Sequence, residues 1–194
     1  MTNPERTVLI DMDGTIADFD GTLTADLRAE YPEIEIPPRK SFYFEDDFAK
    51  ADRDAIQTII SRPGFFLRHG VITGAIEGWQ GLLEAGYEPR ICTAPLRKNR
   101  FSIPDKIGWL EEHMVPVFGP QIIDKAIIDK HKYKHPGLAL IDDRDEIENV
   151  NRASWEHIVF DQPYNHECKA QYRMLGWHDK GVFVALGSIA NRAA

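Results

Sequence analysis

The chain has 194 residues, 43% hydrophobic and 28% charged, with a net charge of −8 and two cysteines. That length allows one compact unit with a small insertion, and hardly two large domains. The acidic balance speaks against broad binding to nucleic acid or anionic membranes, no apolar run is long enough to cross a bilayer, and Cys92 and Cys168 are too far apart for a C-x-x-C pair. Met1 to Thr7 is polar, without a signal-peptide apolar stretch, so a cytoplasmic location is expected.

The first element is Val8-Leu9-Ile10, an aliphatic run reading as a buried strand, and it ends in Asp11-Met12-Asp13-Gly14-Thr15. Paired carboxylates at a buried strand end call for a cation. A lone D-x-D-G is also an ordinary turn capping a helix, so further pieces must decide. After Asp18 the chain is expected to turn helical through Leu23 to Tyr31, broken at Pro32, Pro37 and Pro38, then an amphipathic stretch from Ala49 to Ile60. No strand is expected between Gly21 and Thr73. From Gly74 the rhythm becomes helix then strand: Ala75 to Ala85 helical, Tyr87 to Cys92 extended, Asp105 to Glu112 helical, Leu138 to Ile141 a strand. A helix near Asp145 to Arg152 and a strand His157 to Phe160 follow, with Val182 to Leu186 a last apolar element. The fold class expected is α/β: a Rossmann-like, doubly wound parallel sheet (residues 1–20 and 74–194) with a small helical cap, residues 21–73, inserted after the first strand.

Three further pieces bear on chemistry. Ile91-Cys92-Thr93-Ala94-Pro95 ends a strand on a hydroxyl that is able to grip a phosphate oxygen, although by itself such a Thr is more often a turn cap. Lys130, Lys132 and Lys134 alternate like a solvated face, with room for one to turn inward. Leu140-Ile141-Asp142-Asp143 repeats the pattern of an apolar strand ending in acids. Two such strands in a parallel sheet would bring three or four carboxylates into one crevice, where they must take up protons or bind a divalent cation; oxygen-only donors favour Mg²⁺.

The order D-x-D-G-T, strand-end Thr, Lys, D-D resembles the four-motif signature of the haloacid dehalogenase superfamily of phosphohydrolases. Ala17-Asp18-Phe19, the triplet Phe42-Tyr43-Phe44, Cys-Thr-x-Pro, Ile-Asp-Asp-Arg and Ser154-Trp155-Glu156-His157 narrow the resemblance to the 5′(3′)-deoxyribonucleotidases. The likeness implies Asp11 as nucleophile and Asp13 as general acid and base. It implies Mg²⁺ on Asp11, the backbone carbonyl of Asp13 and Asp143, with Asp142 behind them. Thr93, Ala94 and Lys132 would hold phosphate, Lys130 being second among the lysines. Ala94 stands where the family often has Ser, which removes a donor or hands its place to a backbone amide.

The implied substrate is a small nucleoside monophosphate. Its base would stack against Phe19, Phe42, Tyr43, Phe44 and Phe66, although a small lobe also needs such rings, Phe65 included, for its own core. A sugar phosphate is the alternative substrate, and a non-catalytic nucleotide-binding protein a distant third. Asp13 disfavours a dehalogenase, which has no leaving oxygen to protonate. His69 and His113 are expected to be surface or hydrogen-bonded residues, Trp155 is expected in the core, and the assembly, a homodimer included, is left open.

Overall fold

A computed structural model describes residues 3–193. Its strands are β1 (Thr7–Ile10), β2 (Ala17–Asp18), β3 (Gly70–Val71), β4 (Glu88–Thr93), β5 (Ile127–Ile128), β6 (Ala139–Asp142), β7 (Glu156–Phe160) and β8 (Tyr172–Met174). The α-helices are α1 (Phe19–Glu30), α2 (Arg53–Ile60), α3 (Ala75–Glu84), α4 (Ser102–His113), the single turns α5 (Val115–Phe118) and α6 (Gln121–Asp124), and α7 (Gly181–Ala193). Six strands form one parallel sheet in the order β5-β4-β1-β6-β7-β8. The chain moves outward one way from β1 through β4 to β5, then returns to β6 and moves the other way. The carboxyl ends of β1 and β6 therefore flank the point where the order reverses, where α/β sheets open a crevice for ligands.

β1 is buried along its whole length because it sits mid-sheet with both faces covered. Val8 and Ile10 join a cluster with Trp79 and Leu82 of α3, Trp109 and Leu110 of α4, and Leu186 and Ile189 of α7. Leu9 points the other way, onto Cys92, Leu140 and Trp155, backed by Tyr133 and Ile147. The register sets Ile10 beside both Ile91 and Ile141. One residue further, the Asp11 amide donates to the Ile141 carbonyl at 2.9 Å, bringing Asp11 alongside Asp142.

The segment between β2 and β3 carries its own apolar centre. Leu23 and Leu27 of α1 meet Ile56, Ile59 and Ile60 of α2, with Phe44, Phe48, Phe65 and Phe66 filling the space. Asn99 Nδ2 donates to the Ile60 carbonyl at 2.8 Å and Trp109 Nε1 to the His69 carbonyl at 2.8 Å, tying this lobe to the segment around α4.

α1 starts at Phe19, directly after Asp18 as expected, because the Asp18 carboxylate accepts from the Gly21 amide and caps it. Other expectations need correction. A strand does exist before Thr73: β3 pairs antiparallel with β2, and at two residues each neither shows an alternating pattern. No α-helix forms over Asp145 to Arg152. Asn149 adopts a left-handed φ of 57°, which a helix does not admit, and only a 3₁₀ turn, Val150–Arg152, follows. The tail supplies an edge strand, β8, and a helix of 13 residues where a short apolar element was expected.

Candidate active site

Asp11, Asp142 and Asp143 converge at the carboxyl ends of β1 and β6, all buried, with one carboxylate oxygen of each within 4.8 Å of the others. The sheet does this: neighbouring parallel strands in register deliver their first residues beyond the ladder to the same edge. Gly14 makes the approach tolerable, because it holds a φ of +74° and any Cβ there would strike Asp143 Oδ2. Tyr164 donates its hydroxyl hydrogen to that same Oδ2.

Lys132 Nζ lies 2.6 Å from Asp11 Oδ1 and 2.5 Å from Asp142 Oδ2. Asp142 Oδ1 accepts the Arg144 amide at 3.0 Å, so both Asp142 oxygens are engaged. Burial works against the Lys132 charge, but Asp11 and Asp142 outweigh it and hold the ammonium protonated well above the usual lysine range. One ammonium does not balance three carboxylates. Burial, and then the charges of Asp142 and Asp11, push the Asp143 carboxyl well above the normal carboxylate range. An all-oxygen cluster with this surplus of negative charge fits a hard divalent cation.

Asp13 is held separately. Its Oδ2 accepts from Lys106 Nζ at 2.6 Å, and the same nitrogen donates to Thr93 Oγ1 at 2.9 Å. Asp13 Oδ1 has no partner among the described residues. Burial raises the Asp13 pKa, and Lys106 pulls against that rise.

Asp11, Asp13, Thr93, Lys132, Asp142 and Asp143 floor a cavity of about 610 Å³ whose walls also carry Phe19, Phe42, Tyr43, Phe44, Phe66 and Ala94. Phe44 and Phe66 are almost wholly buried and serve the lobe's core while showing an edge to the cavity; Tyr43 is 53% exposed. Phe65 packs behind them at 0% exposure. Basic groups ring the space. Arg144 Nη2 donates to the Tyr43 hydroxyl at 3.1 Å and its guanidinium lies 4.7 Å from the Phe42 ring centre. Arg39, ion-paired to Asp20 at 2.7 Å and Asp47 at 3.0 Å, stacks 4.4 Å from the Tyr164 ring centre. Of the three alternating lysines only Lys132 is buried; Lys130 is an exposed part of the cavity wall, and Lys134 is exposed above Tyr133. Trp155 is core and His113 packs on Trp109, but His69 is neither at the surface nor hydrogen-bonded through its ring.

Residues 5–188 match the family described as 5′ nucleotidase, deoxy (Pyrimidine), cytosolic type C protein. The chain belongs to this family. Among its relatives, a Bordetella bronchiseptica protein with the provisional name 5′(3′)-deoxyribonucleotidase is 34% identical over 175 residues, covering 89% of this chain and 91% of that protein. The human cytosolic 5′(3′)-deoxyribonucleotidase is 32% identical over 184 residues, 89% of each. A haloacid dehalogenase family hydrolase from Deinococcus radiodurans, solved with bound phosphate and sodium, shares the fold with a TM-score of 0.58 at 13% identity, covering 96% of both chains. The nucleotidase family is thus carried here on the haloacid dehalogenase fold, and the chain is a phosphoric monoester hydrolase of deoxyribonucleotidase type.

In this nucleotidase the sequence motifs cover Asp11, Asp13, Thr93, Lys132, Asp142, Asp143 and, in Ile-Asp-Asp-Arg, Arg144, but not Lys106, Tyr164 or Arg39. Lys106 did leave a trace. It falls on the inward stripe of α4 with Ser102, Asp105, Trp109 and Leu110, a charged residue at a core position of a helix. Nothing in the pattern around Tyr164 or Arg39 marks either one.

Proposed function

We propose that this chain hydrolyses deoxyribonucleoside monophosphates with Mg²⁺ through an aspartyl-phosphate on Asp11. The observation that carries the reading is the unequal setting of two carboxylates two residues apart. Asp11 is paired with Lys132 in the acidic cluster, and Asp13 is turned toward Lys106 and Thr93 with one oxygen free.

Asp11, the Asp13 backbone carbonyl and Asp143 would hold the metal, with Asp142 behind them, locked to Lys132. When bound, the ion supplies positive charge against the phosphate oxygens and orients the phosphoryl group. The steps belong to the side chains. A carboxylate oxygen of Asp11 bonds to phosphorus as the ester P–O bond breaks, and its electron pair goes to the leaving sugar oxygen. That oxygen takes the proton from Asp13. Water then attacks the aspartyl-phosphate and gives a proton back to Asp13, while the P–O bond to Asp11 breaks and restores its carboxylate. The Thr93 hydroxyl, the amide at Ala94 and Lys132 hold the phosphate meanwhile.

Residues 21–73 are proposed as a cap over the leaving group, since the lobe's rings face the carboxylates across the cavity. Phe19 and Phe42 to Phe44, with Phe66, would receive the base, a flat surface that suits stacking. The free substrate is a small molecule, and the cytosolic human relative and the cytosolic family description support a cytoplasmic setting. Among the described residues no helix is long and apolar enough to cross a membrane.

Phosphate release from dUMP, dTMP and a panel of sugar phosphates, with and without Mg²⁺, tests the reading. Hydrolysis of the nucleotides should require Mg²⁺, and Asp11→Asn should lower it by about 10³-fold or more. A sugar phosphate cleaved far better than any nucleotide would overturn the substrate, and an active Asp11→Asn would overturn the nucleophile.

A further inference from the structure

Lys106 is 0% exposed, on the stripe of α4 that otherwise packs through Trp109 and Leu110 into the sheet's core. An ammonium at such a position is costly to bury unless it is fully engaged, and a Met would fill the same space. Its engagement is complete. Of its three hydrogens, one goes to Asp13 Oδ2 and one to Thr93 Oγ1, while the Phe66 ring closes the remaining side with its centre 5.1 Å from Nζ. Lys106 itself does not line the cavity.

Two consequences follow from hydrogen-bond polarity alone. A lysine only donates, so Thr93 Oγ1 must accept from it, and the hydroxyl's own hydrogen is left to point at a phosphate oxygen. Lys106 also holds Asp13 Oδ2 at 2.6 Å, while Oδ1 is buried without a partner among the described residues, so the bond to Lys106 is what sets the orientation of the carboxyl. We propose that Lys106 is a positioning residue: it fixes the orientation of the Asp13 carboxyl that passes the proton to the leaving group and which way the Thr93 hydroxyl donates. This rests on the roles given to Asp11 and Asp13 above. Lys132 does different work, because its bonds run to Asp11 and Asp142 and none runs to Asp13. The step that Lys106 serves is the first one, in which the Asp13 O–H bond breaks, the proton moves to the departing sugar oxygen and Asp13 becomes a carboxylate.

The leaving group discriminates positioning from mere support. A deoxyribose oxygen leaves badly without a proton, whereas p-nitrophenolate needs little help. kcat/KM, which reports the steps up to formation of the phosphoenzyme, is to be measured with Mg²⁺ for a deoxyribonucleoside 5′-monophosphate and for p-nitrophenyl phosphate. Lys106→Met should lose about 10²-fold on the nucleotide and less than about tenfold on the aryl ester. In an Asp13→Asn background the same change should cost the nucleotide no further selective loss. Partial unfolding would strike both substrates alike, and so would a misdirected Thr93 alone, so equal losses overturn the positioning of Asp13. If Lys106→Met does not fold, as judged by near-UV circular dichroism, Lys106→Gln keeps a polar group in the site and carries the same comparison. A wild-type protein inactive on every phosphate monoester would instead overturn the reading of Asp11 and Asp13, and the Lys106 assignment with it.

Discussion

His69 shows how one side chain can be held by shape against its chemistry. It is 1% exposed, its ring meets the rings of Phe65, Phe66 and Phe19 edge-on at centre distances of 4.8, 5.4 and 5.6 Å, and neither ring nitrogen has a partner among the described residues. Burial, helped by the Lys106 charge, lowers its pKa to about 3. The folded protein therefore keeps His69 neutral at pH values where an unfolded chain, with a pKa of about 6.5, already binds a proton. Because the unfolded state holds more protons between those two values, stability falls as pH drops from about 6.5 toward 3, by at most about 1.4 kcal/mol per pH unit from this group. His69→Phe, which keeps a ring of similar shape without nitrogens, should flatten that slope in urea denaturation series at pH 7 and pH 5. An unchanged slope would show that His69 is protonated in the folded protein. The carbonyl of residue 69, which receives Trp109 Nε1, is unaffected by the substitution.

At the scale of elements, α1 and α2 hold the lobe by burying one face each. Ile56, Ile59 and Ile60 recur at the three-to-four residue spacing of a helix face and meet Leu23 and Leu27. Ion pairs across the lobe, Arg68 with Asp26 at 2.7 Å and Arg62 with Glu30, are partly solvated and fix orientation more than they add stability. Ile59 is 0% exposed, so Ile59→Ala should cost about 2–5 kcal/mol through lost burial and the cavity left behind. Because this cluster is separate from the sheet's, the loss should appear in hydrogen exchange as faster opening of α1 and α2, with β1 and β6 little changed. Equal acceleration in all four elements would mean that lobe and sheet open as one unit.

For the molecule as a whole, the proposed metal site would couple a cation to folding. Asp11, Asp142 and Asp143 are brought together only when β1 and β6 pair, so a divalent ion that they hold binds the folded chain and not the unfolded one. Mg²⁺ at about a hundred times its Kd should add roughly 2.7 kcal/mol and raise Tm, and Asp143→Asn should remove most of that response in calorimetry. An equal rise in the variant would place the ion elsewhere. The carboxylates, Thr93 and Lys132 were legible in the sequence because they stand at strand ends or at a fixed interval before one. A strand end is marked locally, by an apolar run that stops. The parallel sheet was legible for the same reason: β1, β6 and β7 each carry an apolar run with its own boundaries, and β4 follows the helix stop at Gly86. Tertiary structure decided what depends on two distant segments. β2 and β3 exist only as partners of each other, and the segment from Asp145 to Arg152 follows a left-handed Asn149 where its composition suggested a helix. The aromatic lobe could be seen to need a core, but only packing decided that Phe65 lies behind the wall and Phe42 on it. Lys106 makes the difference plainest. Its side chain spans the 93 residues that separate it from Asp13, and no local pattern states that a charge on the inner face of α4 will meet the end of β1.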